Sequence, residues 1–332
     1  MTKNYAIYHS PCYDGGASRF IMEQQETVLI TEFIPFNHGR KKESEKKILE
    51  KCSDDVTLYF LDCCPTVLFF DELSKFNTKI FVLDHHENAV IKLKNRRENC
   101  ENLTIIYNPN RSGCGIVAEY FKIDLPLPGE YFERGDIFNF DSEGKADAFT
   151  TGIKSYFGLD YFKLESEEAS KYMKRIMTAT SDEINECIKI GKKEVDRQSK
   201  IASEKLETPI VEINGLNWLI LENPRYVNPD DTNVMRHMCL QAKDKHNIDV
   251  LCFYSPPEET CLCDCMIKLL HKLNCISSKR IGMSLRTTSD DVDVSQIARR
   301  FGGNGHKKAS GCSITLSLGV FSLDELIFKL GK

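Results

Sequence analysis

The sequence contains no apolar run that approaches the length of a membrane-spanning helix. Its first residues lack the apolar core of a signal peptide, which predicts a cytoplasmic protein. Charges of both signs are interspersed, and the formal net charge is −5. We find no internal repeat and no low-complexity tract. Together these absences argue against a membrane-surface protein and against a nucleic-acid coat protein, and they predict no membrane partner.

The sequence also lacks any Cys-x-x-Cys pair that could begin a zinc knuckle, although it contains 14 cysteines. Without a signal peptide, these cysteines are expected to be reduced thiols rather than disulfides. Cys261, Cys263 and Cys265 alternate with the period of a β-strand, which favours packing on one face of a strand over metal binding.

The length of 332 residues and the hydrophobic content of 41% are sufficient for two domains. Residues 146–206 show helical periodicity, and the Asn214-Gly215 pair between two apolar runs predicts a hairpin. We therefore predict an N-terminal domain over residues 1–190, a helical hinge over residues 191–208 and a C-terminal domain over residues 209–332.

Metal-competent side chains follow several predicted strands. The apolar run Ile80–Leu83 ends at Asp84, His85 and His86. On its own this pattern is also typical of a strand end with two surface histidines. In open α/β sheets, however, ligands bind in the crevice outside the carboxyl ends of the strands, where these side chains would lie.

Two further predicted strands end in the same way. A strand over residues 5–8 leads to His9, Cys12 and Asp14, followed by glycines and a helix over about residues 16–25; alternatively, Asp14 is only the N-cap of that helix. A strand over residues 56–61 leads to Asp62, and Pro65 is placed to begin the next helix. Three such ends side by side in a parallel sheet predict a metal site. Carboxylates and imidazoles suit manganese, magnesium or zinc, and two ions would need a bridging carboxylate.

These motifs resemble those of the DHH family of phosphoesterases. Asp84-His85-His86 is similar to the motif that names the family, Asp62 to its preceding aspartate, and residues 9–15 to its first motif. A further metal-binding aspartate is expected in residues 134–140, where Asp136 lies on a polar tip; its alternative role is a helix cap. The resemblance implies a set of metal ligands comprising His9, Cys12, Asp14, Asp62, His85 and Asp136.

The resemblance extends to the C-terminal end. The glycine-rich loop over residues 301–311 is similar to that of the DHHA1-type substrate-binding domain associated with the family. Its glycines, including Gly303 and Gly305, could let backbone N–H groups surround a phosphate. His306 and Arg286 could add charge-assisted donors. The implied fold is α/β: an N-terminal Rossmann-like domain with a parallel sheet, and a smaller C-terminal α/β substrate-binding domain.

The implied activity is hydrolysis of phosphodiester or phosphoanhydride bonds by metal-activated water, with two divalent ions and manganese expected before magnesium or zinc. Asp62 is the candidate bridge, His86 the candidate general acid, and Asp84 the residue that orients the histidines; His85 and His86 could exchange roles. The expected substrate is a small phosphorylated molecule: a short single-stranded oligonucleotide, a dinucleotide or polyphosphate. An aromatic side chain beside the glycine-rich loop would favour nucleotides, and Phe301 is the local candidate.

One position departs from the family pattern, which has an aspartate where this chain has Cys12. A thiolate binds Zn²⁺ or Fe²⁺ readily and Mg²⁺ poorly, so Cys12 either changes the metal preference or weakens one metal position. A third alternative is a degenerate site in a sensor that binds nucleotide or polyphosphate without cleaving it. The sequence leaves a homodimer open.

Overall fold

The structure is a computed structural model. The residues that it describes are 3–97, 100–137, 139, 143–159, 164, 168–222, 237–239, 241–242, 247–255, 280–287, 289–305, 307–315 and 323–331. His306 and the three alternating cysteines (Cys261, Cys263 and Cys265) lie outside the described residues. The chain divides into two compact units, Met1–Asp196 and Arg197–Lys332. The predicted domain limits at residues 190 and 208 stay a prediction.

Five strands form a parallel sheet in the described part of the first unit. They are β1 (Lys3–His9), β2 (Glu32–Phe36), β3 (Val56–Leu61), β4 (Lys79–Asp84) and β5 (Leu103–Tyr107). Their order is β2-β1-β3-β4-β5, and every neighbouring pair is parallel. This is a doubly wound order whose switch point lies between β1 and β3, the place where such sheets bind ligands.

Helices cover both faces of this sheet. They are α1 (Tyr13–Gln24), α2 (Lys41–Leu49), α3 (Val67–Leu73), α4 (Glu87–Arg97), α5 (Gly113–Phe121), α6 (Leu127–Asp136), α7 (Lys145–Phe157), α8 (Ala169–Met177) and α9 (Ser181–Lys205). Residues of α2, α3 and α4 form the core on one face. Residues of α1 and of α5 to α9 form the core on the other.

The side chains of β1 alternate between these two cores. Ala6 and Tyr8 pack into the core that contains α1, whereas Tyr5 and Ile7 pack into the opposite one. Because both faces are covered, a central strand is buried along its whole length, as β3 is. Burial on both faces of the sheet explains why residues 56–61 are almost entirely apolar.

Three local predictions differ from the structure. Strand β2 was not predicted, since Pro35 interrupts its apolar pattern; as an edge strand it can accommodate the missing N–H. Helix α1 begins at Tyr13, and its N-cap is Cys12 rather than Asp14. Pro65 does not begin α3, whose N-cap is Thr66.

The second unit contains a six-stranded sheet in the order β10-β11-β9-β8-β7-β6. Its elements are β6 (Val211–Ile213), β7 (Leu216–Glu222), β8 (Val250–Ser255), β9 (Arg280–Arg286), α10 (Val294–Arg300), β10 (Asn304–Gly305), β11 (Ala309–Thr315) and α11 (Leu323–Leu330). The predicted hairpin between β6 and β7 is confirmed, with Asn214 and Gly215 both at positive φ as in a type I′ turn.

The predicted α/β class, with a parallel sheet in the N-terminal domain and a smaller C-terminal α/β domain, is therefore confirmed. Among the described helices, none combines the length and the apolar character that crossing a bilayer requires.

Candidate active site

The ends of β1 and β3 bring His9 and Asp62 together at the switch point of the parallel sheet. His9 Nδ1 lies 3.2 Å from Asp62 Oδ2. Asp62 follows β3 with a φ of 56°, a left-handed conformation that aspartate and asparagine tolerate better than most residues. Its backbone N–H donates to the carbonyl of Leu83 at 2.9 Å, which fixes the turn. Gly113 packs against this side chain, and a Cβ at that position would overlap the Cβ of Asp62.

The end of β4 is organised by Asp84, which is fully buried. Its Oδ1 accepts the backbone N–H groups of His85 and His86 at 2.8 and 3.2 Å, and lies 2.6 Å from His86 Nδ1. This contact orients the His86 ring through Nδ1. The neighbouring His85 places its Nε2 3.3 Å from Asp62 Oδ1.

Two helices supply further carboxylates. Asp136 is the last residue of α6, and its Oδ2 lies 3.0 Å from His85 Nε2. The predicted polar tip is thus the end of a helix. Asp14 lies in the first turn of α1, where its carboxylate accepts hydrogen bonds from the hydroxyl of Ser112 (2.7 Å) and the N–H groups of Gly113 (2.6 Å) and Cys114 (3.0 Å).

The helix N-terminus of α5 therefore holds the Asp14 carboxylate. Free N–H groups at a helix start are suited to bind an anion, and here they bind a side chain of the same protein. Ser112 is also the N-cap of α5, because its hydroxyl accepts the N–H of Gly115. Sequence analysis assigned no role to Ser112, although a serine before Gly-Cys-Gly is a recognisable helix start.

The structure brings all six predicted metal ligands and the Asp84-His86 pair into overlapping groups. The described residues form three such sets, and inside each set the candidate ligand atoms lie within 4.8 Å of one another. They are His9, Cys12 and Asp62; Asp14, His85 and Asp136; and Asp62, Asp84, His85 and His86. Asp62 directs one oxygen towards His9 and the other towards His85, so it lies between the first two sets.

The ionisation of these groups reflects a crowded acidic centre. Burial and the carboxylates of Asp62 and Asp136 raise the pKa of Asp14 to about 8. Burial disfavours the charged form of His85, but the facing carboxylates of Asp136 and Asp62 outweigh it and raise the pKa to about 12. Burial together with Asp62 and Asp136 raises the pKa of Cys12 well above its usual value.

The residues present fit a divalent cation. Asp62 Oδ1 and Asp136 Oδ2 are buried and receive no hydrogen bond among the described residues, although both face the same nitrogen of His85. Buried carboxylate oxygens without donors are costly unless a cation compensates them. The set around Asp136 offers oxygen and imidazole ligands, whereas the set around His9 adds the softer sulfur of Cys12.

A fourth histidine, His38, joins this centre from the turn after β2. Its ring centroid lies 4.8 Å from that of His9 in an edge-on arrangement. Burial and the neighbouring His9 and His86 lower the pKa of His38 to about 4, so the ring is neutral at pH 7. Sequence analysis missed it because β2 itself was not predicted; a histidine directly after a strand was the available signal.

Three of the predicted substrate-binding residues lie in the described part of the second unit: Arg286 on β9, Gly303 just before β10 and Gly305 on β10. Arg286 ends β9 and donates from Nη1 to the carbonyl of Leu285 at 2.9 Å. A Cβ at Gly303 would overlap the carbonyl of Gly311, and Gly305 has a φ of 145°. These two glycines are therefore required by the close approach of the loop to β11.

A cavity of about 460 Å³ borders this glycine-rich loop. Phe253, Ser284 and Gly303 are among its lining residues. The predicted aromatic, Phe301, packs instead against the core of the second unit. Phe253, the aromatic residue among those that line the cavity, is itself largely buried in a core of the second unit.

The comparisons with known proteins give three similarities. No family model matches the chain. An uncharacterised protein, R106 of Acanthamoeba polyphaga mimivirus, is 24% identical over 337 residues, which cover 96% of this chain and 69% of that protein. Oligoribonuclease NrnB of Bacillus subtilis strain 168 is 65% identical over 40 residues, which cover 12% of this chain and only 10% of NrnB. The crystal structure of an exopolyphosphatase-related protein from Bacteroides fragilis aligns with a TM-score of 0.49 and 13% identity, covering 99% of this chain and 91% of that one.

The parallel sheet carries a carboxylate–imidazole centre at its switch point, and such a centre can hold divalent cations. In its motifs the chain resembles the DHH family of phosphoesterases.

Proposed function

We propose that this protein is a metal-dependent phosphohydrolase that cleaves phosphodiester bonds in short oligonucleotides or dinucleotides. The observation that carries the proposal is the position of Asp62 between two sets of ligand atoms, with Oδ2 facing His9 and Oδ1 facing His85. A carboxylate in that position can bridge two cations. His9, Cys12 and Asp62 would hold one ion, and a second set would hold the other, comprising Asp14, Asp62, His85 and Asp136.

Divalent ions bound there would supply an activated water and neutralise negative charge on the phosphate oxygens. Manganese is the proposed ion, with magnesium or zinc as alternatives. The chain itself supplies the orientation. Asp84 holds His86 through Nδ1, so that His86 Nε2 can donate a proton to the leaving oxygen. The hydrogen bonds from the start of α5 hold Asp14 in place.

Two observations favour a nucleotide over polyphosphate as the substrate. The match to an oligoribonuclease is short but 65% identical. In addition, Phe253 lines the cavity beside the glycine-rich loop, where an aromatic side chain can contact a nucleobase. Arg286, Gly303, Gly305 and His306 remain the proposed substrate-binding residues of the second unit. A 3′–5′ exonuclease on short oligonucleotides fits these features, and an exopolyphosphatase is the alternative.

The decisive experiment measures product release by the purified protein in Mn²⁺, Mg²⁺ and Zn²⁺. The substrates are a 5′-phosphorylated dinucleotide, a pentanucleotide, pyrophosphate and polyphosphate, and the Asp62→Asn variant serves as the blank. We expect mononucleotide release that depends on Mn²⁺ and disappears in the blank. Phosphate release from polyphosphate alone would assign the exopolyphosphatase instead. Tight nucleotide binding without any turnover would favour the sensor suggested by Cys12.

A further inference from the structure

Glu133 joins helix α6, which ends at the candidate ligand Asp136, to the turn between β5 and α5. Its side chain is only 14% exposed. Arg111 donates from Nε and Nη2 to the two carboxylate oxygens of Glu133, at 2.5 and 3.4 Å. The backbone N–H of Ser112 donates to Glu133 Oε1 at 3.2 Å. Two consecutive residues of the turn are thus bound to one side chain of α6.

The same turn holds Asp14 from its other side. The hydroxyl of Ser112, whose N–H donates to Glu133, donates to Asp14 Oδ1 at 2.7 Å. The next residue, Gly113, donates its N–H to Asp14 Oδ2 at 2.6 Å. A Cβ on Gly113 would lie 2.3 Å from the Cβ of Asp62, so the turn also packs against that ligand. Glu133 is therefore connected to the ligands of β3 and α1 through two adjacent residues.

The packing around Glu133 is close. A Cβ on Gly115 would lie 2.0 Å from Glu133 Oε1 and 2.9 Å from Arg111 Nε, so this position has no space for a side chain. The backbone carbonyl of Glu133 accepts the N–H of Ile137 at 3.0 Å, which closes the last turn of α6. That turn carries Asp136. A shift of Glu133 is therefore passed on both to the turn before α5 and to the end of α6.

We propose that Glu133 is a positioning residue that sets the distance between Asp14 and Asp136. These two carboxylates belong, together with His85, to one set of candidate ligand atoms. Removing a group that orients metal ligands typically lowers metal affinity about 10- to 100-fold. The inference deepens the proposed function and rests on it, because it concerns the ion ascribed there to this set.

Arg111 has a second partner that provides the matched control. Its Nη1 lies 3.1 Å from Oε2 of Glu119 on α5, whose side chain is 63% exposed. Glu119→Gln removes this exposed ion pair and leaves Glu133 in place. Glu133→Gln removes the same amount of charge from the partner that also binds Ser112. Exposed ion pairs contribute little, so the two variants separate positioning from the loss of an ion pair.

The test measures manganese binding by titration calorimetry for the wild type, Glu133→Gln, Arg111→Gln and Glu119→Gln. Asp136→Asn removes a ligand of the set and identifies the binding step that belongs to it. The two central variants change the charge in opposite directions. Through charge alone, Glu133→Gln would weaken manganese binding and Arg111→Gln would strengthen it. Loss of positioning weakens binding in both.

We expect Glu133→Gln and Arg111→Gln each to weaken the identified step about tenfold, with the other step unchanged. Glu119→Gln should resemble the wild type. Wild-type affinity in Glu133→Gln, opposite effects of Glu133→Gln and Arg111→Gln, or equal losses in Glu133→Gln and Glu119→Gln would refute the proposal. Circular dichroism checks that each variant folds. If Glu133→Gln does not fold, Arg111→Gln decides: weaker binding supports the proposal, and equal or tighter binding overturns it.

Cleavage of a dinucleotide by the same proteins separates this inference from the proposed function. A wild type that binds manganese but cleaves no substrate would refute the proposed function, and the binding data would still decide the role of Glu133. A wild type that binds no manganese would overturn both.

Discussion

Replacing Asp62 with asparagine should strongly reduce activity while preserving the fold. Asparagine keeps the shape of the side chain and tolerates the left-handed backbone conformation, with φ of 56°, that Asp62 adopts. It removes the charge that faces His9 at 3.2 Å and His85 at 3.3 Å. A catalytic cation contributes several kcal/mol of charge stabilisation, and each factor of ten in rate corresponds to about 1.4 kcal/mol. We therefore expect kcat/KM to fall by roughly 10³-fold.

The matched control is Asp55→Asn, since Asp55 also has a positive φ, 67°, but is exposed in the turn before β3. Initial rates on a dinucleotide in Mn²⁺ and the number of bound manganese ions are measured for both variants. The control should retain both values. If Asp62→Asn binds the wild-type amount of manganese and keeps the wild-type rate, Asp62 is not a bridging ligand and the proposed arrangement is wrong.

Three further predictions concern the metal preference, the pH dependence of binding and the stability of the second unit. Cys12→Asp should raise the ratio of activity in Mg²⁺ to activity in Zn²⁺ by about tenfold or more, because a carboxylate binds Mg²⁺ better than a thiolate does; an unchanged ratio in steady-state assays would argue against Cys12 as a ligand. Manganese affinity should increase from pH 6 to pH 8, since the raised pKa values of Asp14 (about 8) and His85 (about 12) mean that binding must displace protons. Calorimetry of manganese binding in buffers with different ionisation enthalpies measures the number of protons released. The same binding enthalpy in every buffer would contradict proton release. Asp293→Ala should cost about 1 kcal/mol of unfolding free energy at pH 7, because Asp293 caps α10 through the N–H of Ser295 at 2.9 Å. The pKa of Asp293 is lowered in the folded protein, since its hydrogen bonds outweigh its burial. The stability that the ionised side chain contributes is therefore complete above the pKa of the unfolded chain, about 3.9. This stability is lost as the pH falls through the lower pKa of the folded protein. Urea unfolding at pH 7 and pH 3, with the exposed Asp291→Ala as control, tests this, and an equal loss at both pH values would count against the cap.

The parts of the fold that sequence analysis predicted are those whose pattern is local. Strands β3 and β4 are continuous apolar runs because helices cover both faces of the sheet. Strand β2 escaped prediction because an edge strand is subject to weaker constraints and can contain Pro35. Because β2 was not predicted, the position of His38 beside the site could not be inferred from the sequence either.

The candidate site was predictable to the extent that its residues follow strands in the sequence. His9 and Asp84 are the last residues of β1 and β4, and Asp62 directly follows β3. Asp136 ends a helix, and no local pattern states that this end reaches His85. The contact of Asp14 with Ser112 joins residues 98 positions apart, which only the packing of α1 against α5 reveals.

The hydrogen bonds between Asp14 and the start of α5 also bear on how the protein matures during synthesis. The first ligand motif is complete when residue 14 has left the ribosome, yet the groups that hold it arrive about a hundred residues later, and Asp136 later still. A growing chain shorter than this cannot form the set around Asp14, His85 and Asp136. A cation bound by this set would therefore stabilise the N-terminal unit only after synthesis has passed Asp136.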